Sequence, residues 1–157
     1  MSQRWRPYIV VAGIIEQDGR FLLVEEREED GQITLNQPGG LLEAGESLVQ
    51  AVTREVLEES GYTFFPETFL GAYHLSYRMQ DGADVSYLRF AFTGSVGEQA
   101  KQDLDPDIVR THWMTKEELL ACPDRHRSVV VMQCIEDYLA GQRVPLTAVS
   151  RYTSMDI

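Results

Sequence analysis

Residues 39–62 run GGLLEAGESLVQAVTREVLEESGY, and the rest of the chain is organised around them. Ser47 and Gln50 have the spacing of a capping box, which opens a helix. Gly61 supplies a C-terminal stop, so the spacing predicts a helix from Ser47 to Ser60. Leu48, Val52 and Val56 recur at helical intervals and form an apolar stripe. Glu55 stands three and four residues before Glu58 and Glu59, so these carboxylates share one side of the helix. Like charges repel there, and helix stability does not require them. A carboxylate cluster beside an apolar stripe needs a counter-charge. Arg54 offers one, and hard oxygen ligands of this type suit Mg²⁺ or Mn²⁺.

Upstream, Tyr8 to Ile15 (YIVVAGII) is β-branched and apolar and reads as a strand. Asp18-Gly19 signals a hairpin turn and Phe21–Val24 the return strand. Glu25 to Gly31 (EEREEDG) reads as a charged, solvated connection. Ile33–Leu42 contains Asn36-Gln37-Pro38-Gly39-Gly40 and reads as a shaped loop without regular structure. Downstream, strands are expected at Phe69–Tyr77, Val85–Thr93 and Asp107–Met114, with Gln80-Asp81-Gly82 as the turn between the first two. A second capping box, Thr115 to Glu118, opens a short helix to about Ala121. A last helix is expected from about Arg125 to Ala140, ended by Gly141. The tail, 142–157, has no clear periodicity. Strands mixed with helices give an α/β (α+β) class, a mixed sheet flanked by helices.

The 157 residues fit one domain, with enough chain to bury a core without disulfides. Net charge is −11 and the only lysines are Lys101 and Lys116. That balance argues against a nucleic-acid partner, whose binding needs basic side chains. If the substrate is a phosphate, anion would meet anion; a bound divalent cation would resolve this by inverting the local charge, and direct phosphate contacts would fall mainly to arginines. Cys122 and Cys134 fit no zinc or redox spacing and read as reduced packing residues. His112 and His126 likewise read as structural. No apolar run is long enough to span a bilayer, and the first residues lead into no signal-peptide core, so a cytoplasmic protein is expected.

Gly40, Glu46, Arg54, Glu55, Glu58, Glu59 and Gly61 fall at the fixed positions of the Nudix box. Seven fixed residue types coincide by chance at roughly 10⁻⁸ to 10⁻⁹ per start position. Tyr62 stands where the pattern usually has an aliphatic residue. The chain therefore resembles the Nudix hydrolases, which implies an α/β/α sandwich over 1–157, with the box at 40–62, and cleavage of phosphoanhydride bonds with Mg²⁺ or Mn²⁺. On that resemblance Glu55, Glu58 and Glu59 match the metal-binding glutamates, with the Gly39 carbonyl as a further ligand. Arg54 matches the arginine that orients a catalytic glutamate, and Glu46 a supporting glutamate at the helix entry. Gly40 shapes the loop. Glu55 or Glu59 is the candidate base.

Further segments, among them Leu35-Asn36-Gln37-Pro38-Gly39-Gly40, Leu88-Arg89-Phe90 and Gly141-Gln142-Arg143-Val144-Pro145-Leu146, resemble the bacterial NudJ-type phosphatases. This narrower likeness implies nucleoside tri- and diphosphates and the thiamine-precursor pyrimidine pyrophosphate as substrates. Outside the box, Asp105 and Asp107 are either an extra acidic ligand or base or a turn pair around Pro106. Arg27 and Arg89 are candidates for phosphate, or ordinary surface arginines. Tyr77 is a candidate for the substrate's ring, as are Tyr8, Tyr73 and His74, against the alternative of sheet packing. Tyr77 also falls near a tyrosine of dinucleoside polyphosphate hydrolases, so those substrates and ADP-sugars form the alternative. A non-catalytic nucleotide-sensing domain is a third reading, opposed by the intact glutamates. Monomer and homodimer both stay open.

Overall fold

The computed structural model describes residues 4–100 and 103–154; Lys101 and both ends of the chain lie outside the described residues. Strand β1 (Tyr8–Ile14) is the hub of a mixed five-stranded sheet. It runs parallel to β7 (Asp84–Gln99) and antiparallel to β5 (Gly39–Leu41), and β6 (Tyr62–Arg78) and β9 (Val144–Pro145) complete the order β5-β1-β7-β6-β9. In the second sheet, β3 (Arg20–Arg27) pairs antiparallel with β2 (Glu16–Gln17), β4 (Ile33–Asn36) and β8 (Ile108–Met114). Asp18 (φ 52°) and Gly19 (φ 77°) form the expected tight turn into β3.

Alternation along these strands sorts side chains onto two faces. Val11, Ile15, Leu22 and Phe92 pack with Val52 and Val56 of helix α1 (Leu48–Ser60). Their neighbours Ala12, Ile14, Leu23 and Ala91 pack on the opposite side with Val131, Cys134 and Ile135 of helix α3 (Val130–Leu139) and Leu119 of helix α2 (Lys116–Leu120). The result is the α/β/α sandwich expected from the sequence, with α1 on one face and α2 and α3 on the other.

Both capping boxes form. The Ser47 hydroxyl accepts from the Gln50 N–H while the Gln50 side chain accepts from the Ser47 N–H, and Thr115 and Glu118 repeat the arrangement. Gly61 ends α1 in the left-handed region, φ 79°.

Three expectations need correction. The charged stretch after Val24 is not all loop: Glu25, Glu26 and Arg27 continue β3, because Glu25 has ion-pair partners on β8 that compensate its burial. Ile33–Leu42 is not irregular throughout, since β4 and β5 flank a corner at Gln37-Pro38. Gly39 is what lets β5 pair with β1: a Cβ there would lie 2.1 Å from the Val11 carbonyl oxygen. The last helix starts five residues late, at Val130. Residues 123–129 are instead drawn to the second sheet by Arg127 N–H donating to the Leu35 carbonyl (2.8 Å) and by Arg125 binding Glu25. Strand β6 also runs longer than expected, back to Tyr62 through Pro66. Its missing N–H is tolerated where the pairing with β7 shifts register. In the tail, Val144 and Pro145 join β6 as β9.

Candidate active site

Helix α1 and the β4–β5 corner build one wall of the site together. Glu55 and Glu59, one turn apart, point to the packed side and are 8% and 7% exposed. Asp105, on the segment leading into β8, is held to the helix by its own N–H donating to the Glu58 carbonyl (3.0 Å). One carboxylate oxygen from each of Glu55, Glu59 and Asp105 lies within 4.8 Å of the others. Asp107 does not join them; it is exposed, and its carbonyl accepts from the Arg27 N–H. Glu58 turns aside to Arg54 (3.1 Å) with a third of its side chain exposed.

Arg54 is the centre of a carboxylate fan. Its Nε and Nη2 grip Glu46 through both oxygens (3.0 and 2.7 Å), Nη1 reaches Glu55 (2.8 Å) and Glu58, and Nη2 also donates to the Leu41 carbonyl (3.0 Å). Glu46 in particular holds the guanidinium charged, and Arg54 in turn keeps Glu46 below the usual carboxylate range. The fan fixes the loop before α1 to the helix and orients Glu55. Gly40 faces it closely: a Cβ there would stand 2.5 Å from the Glu55 carboxyl carbon, so any side chain at 40 would push the Glu55 carboxylate out of its place on Arg54. Next door, the Gly39 N–H donates to Glu59 (2.8 Å).

The electrostatics of this corner are unbalanced. Burial pushes Glu55 up, with Arg54 opposing, and pushes Glu59 up strongly, helped by the charge of Glu26. Glu26 is raised as well, by burial first, although its hydrogen bonds to Glu59 and Asn36 oppose that. Glu26 sits on β3 and escaped the sequence reading because its segment was taken for solvated loop. Four carboxylates thus converge on a half-enclosed place, answered among the described residues by Arg54, which hydrogen-bonds Glu55, and by Arg127, whose charge acts on Glu26. The donors are all hard oxygens, the glycine cradle leaves room beside them, and the excess charge calls for a cation, so the residues fit a divalent metal.

From this corner a cavity of about 200 Å³ extends over the sheet. Glu26, Asn36, Gln37, Gly39 and Gly40 line one side, and Arg127, Ser128 and Val130 another. Its third wall is Tyr73, Leu75 and Tyr77 of β6 with Tyr87 and Arg89 of β7. Registers Tyr73↔Arg89 and Leu75↔Tyr87 put these alternate residues on one face. Tyr77 is where the sequence placed a ring contact. Tyr73 is in the wall too, but its hydroxyl donates to Asp137 (2.7 Å). Tyr8 stacks on Tyr87 (5.3 Å between centroids) and His74 meets Trp5, neither being among the lining residues. Arg89 lines the cavity but spends its guanidinium on Gln37 (2.8 Å) and Asn36 (2.7 Å), while Arg27 is exposed and outside it. Tyr87, Arg127 and Ser128 were missed. For Tyr87 the alternation of β7 was the available signal.

Residues 4–133 match the model of the NUDIX domain. The chain belongs to the Nudix hydrolase family. It is an enzyme of that family's pyrophosphatase and phosphatase kind, in line with a 34% identity over 152 residues to phosphatase NudJ of Escherichia coli K12, covering 94% of each chain. A NUDIX hydrolase from Nitrosomonas europaea superposes with a TM-score of 0.88 at 47% identity, over 94% of this chain and 98% of that one. The NUDIX domain of Shewanella oneidensis NrtR, in complex with ADP-ribose, shares the fold at 19% identity and TM-score 0.68, over 88% of this chain and 90% of that one. No helix among the described residues is long and apolar enough to cross a membrane.

Proposed function

We propose that this Nudix hydrolase cleaves phosphoanhydride bonds of nucleoside tri- and diphosphates and of the thiamine-precursor pyrimidine pyrophosphate, using Mg²⁺, with Mn²⁺ as a substitute. The observation that carries this is the convergence of Glu55, Glu59 and Asp105 within 4.8 Å beside an aromatic-walled cavity, whose lining residues Glu26 and Gly39 hydrogen-bond Glu59. These three, with Glu58 and the Gly39 carbonyl, are the groups that would hold the metal. When bound, the ion neutralises charge on the phosphate oxygens and acidifies a water.

The chain's own residues divide the remaining work. Arg54 fixes Glu55 and Glu58 in place through direct hydrogen bonds, and Glu46 keeps Arg54 charged and still. Glu55 or Glu59 accepts the proton of the attacking water; both are buried, and burial raises the basicity of both above that of an ordinary carboxylate. Gly39 and Gly40 let substrate approach the carboxylates without a side chain between. Tyr77 and Tyr87 offer ring faces to a base or pyrimidine. The volume favours one ring over two: pockets that enclose drug-sized ligands measure roughly 300–1,000 Å³, against about 200 Å³ here. The presence of Tyr77 in the wall keeps dinucleoside polyphosphates and ADP-sugars as the second reading.

A substrate panel tests this: GTP, the pyrimidine pyrophosphate, diadenosine polyphosphates and ADP-ribose, each with Mg²⁺, with phosphate and pyrophosphate both measured. Mononucleotides or the pyrimidine pyrophosphate should turn over fastest. A large preference for dinucleoside polyphosphates would overturn the assignment.

A further inference from the structure

The segment 123–129 has little regular structure, yet it is tied down at several points. Arg125 donates to Glu25 (2.7 Å), the Arg127 N–H donates to the Leu35 carbonyl (2.8 Å), and the His126 ring pairs with the Leu119 carbonyl (3.0 Å). Glu25, 5% exposed, is the deepest of these anchors and also holds Arg110 and His112. The segment therefore forms a strap beside the cavity, and it delivers Arg127 and Ser128 to the lining.

Three arginines are then comparable as partners for a phosphate. Arg27 is exposed and away from the cavity. Arg89 faces the cavity but is engaged by two amide oxygens, which makes it a brace for the Asn36-Gln37 corner. Arg127 lines the cavity, and its charge acts on Glu26, which itself hydrogen-bonds Glu59. Its ion-pair partner is Glu28 at 3.1 Å, with side chains 42% and 24% exposed. A pair this open to water is worth little and is readily exchanged for a better partner. A guanidinium grips phosphate through two parallel hydrogen bonds, which is such a partner.

The geometry points to Arg127 as the cation that binds a phosphate of the substrate, on a strap positioned by Glu25. This rests on the reading of the carboxylate corner as a metal site for phosphoanhydrides. The location follows from charge: Arg127 flanks the carboxylate end of the cavity, so it meets phosphate, while Tyr77 and Tyr87 are left for the ring. Arg127 is thus a binding residue, and Glu25 a positioning residue that touches no substrate.

Calorimetry with two probes tests the idea: Mn²⁺ alone, and a β,γ-imido nucleoside triphosphate in Mg²⁺. Arg127→Ala should weaken the analogue by about 10- to 100-fold, the range of a charge-assisted hydrogen-bond pair. Mn²⁺ affinity should stay unchanged, and Arg127→Lys should restore part of the loss. Arg20→Ala, which removes an equal charge from the surface pair with Glu118, should leave both affinities as they were. Glu25→Gln should weaken the analogue less than Arg127→Ala, and the double variant should resemble Arg127→Ala alone, because both act through one side chain. Full analogue affinity in Arg127→Ala overturns the proposal, as does a wild-type protein that binds Mn²⁺ but not the analogue. Failure of the wild type to bind Mn²⁺ overturns the metal reading and this inference with it.

Discussion

Glu25 and Glu26 are adjacent on β3 and have opposite fates. Glu25 points to the side where Arg110, Arg125 and His112 surround it. Burial alone would raise it, but those three partners outweigh burial and bring it down to about 2. Glu26 points to the cavity, where its nearest titratable partner is another carboxylate, Glu59, and both are pushed up. One acid has more cations than it needs and the other has too few. A buried carboxylate that serves the fold recruits its counter-charge from the chain. One left facing other carboxylates is the better candidate for chemistry.

Breaking the deficient side should have the largest effect. Glu59→Gln should cut turnover on the order of 10²- to 10⁴-fold, the range of a lost acid–base or ligand group. In thermal melts the same variant should gain stability without metal, since it no longer opposes Glu26, and should lose most of the stabilisation that Mg²⁺ gives the wild type. At 100-fold saturation that stabilisation amounts to about 2.7 kcal/mol. A Glu59→Gln protein that keeps wild-type turnover would remove Glu59 from the mechanism.

Breaking the compensated side should harm the fold more than the reaction. Glu25→Gln leaves Arg110 and Arg125 short of a partner, and since both are partly exposed the cost should be about 1–3 kcal/mol in urea unfolding.

The two acids also predict opposite pH slopes. Glu25 is lowered, so its stabilisation is complete above the ordinary carboxylate range and drains away as pH falls toward about 2. Glu26 and Glu59 are raised, so their contribution is present below the ordinary range and is lost as pH rises toward their elevated values. Metal-free protein should therefore become less stable on going from weakly acid to alkaline pH, and Mg²⁺ should flatten that decline. Glu25→Gln should shrink the acid limb, leaving the share of Glu46, and should not touch the alkaline decline. The smallest effect belongs to a site far from either acid: Ser47→Ala removes the α1 cap and should cost about 1 kcal/mol with little change in turnover.

Local chemistry was legible in the sequence. The caps of α1 and α2, the stop at Gly61, the turn at Asp18-Gly19 and the inward stripe of Val52 and Val56 are set by short-range spacing, and each forms as read. The box residues were legible for the same reason, because one helix and one glycine corner carry them all. What tertiary structure alone decided is how those carboxylates divide and what joins them. Glu58 turns to Arg54 while Glu55 and Glu59 meet Asp105, some fifty residues downstream, and Glu26, some thirty upstream. The charged run after Val24 looked like solvent-facing loop, because a sequence does not reveal that Arg110, His112 and Arg125 will arrive to compensate Glu25 and so let β3 continue. Once β3 continues, strand alternation sends Glu25 and Glu26 to opposite faces. Spacing along the chain determines which groups share a helix or a strand; only the packing of the sheets and the strap determines which charges are answered.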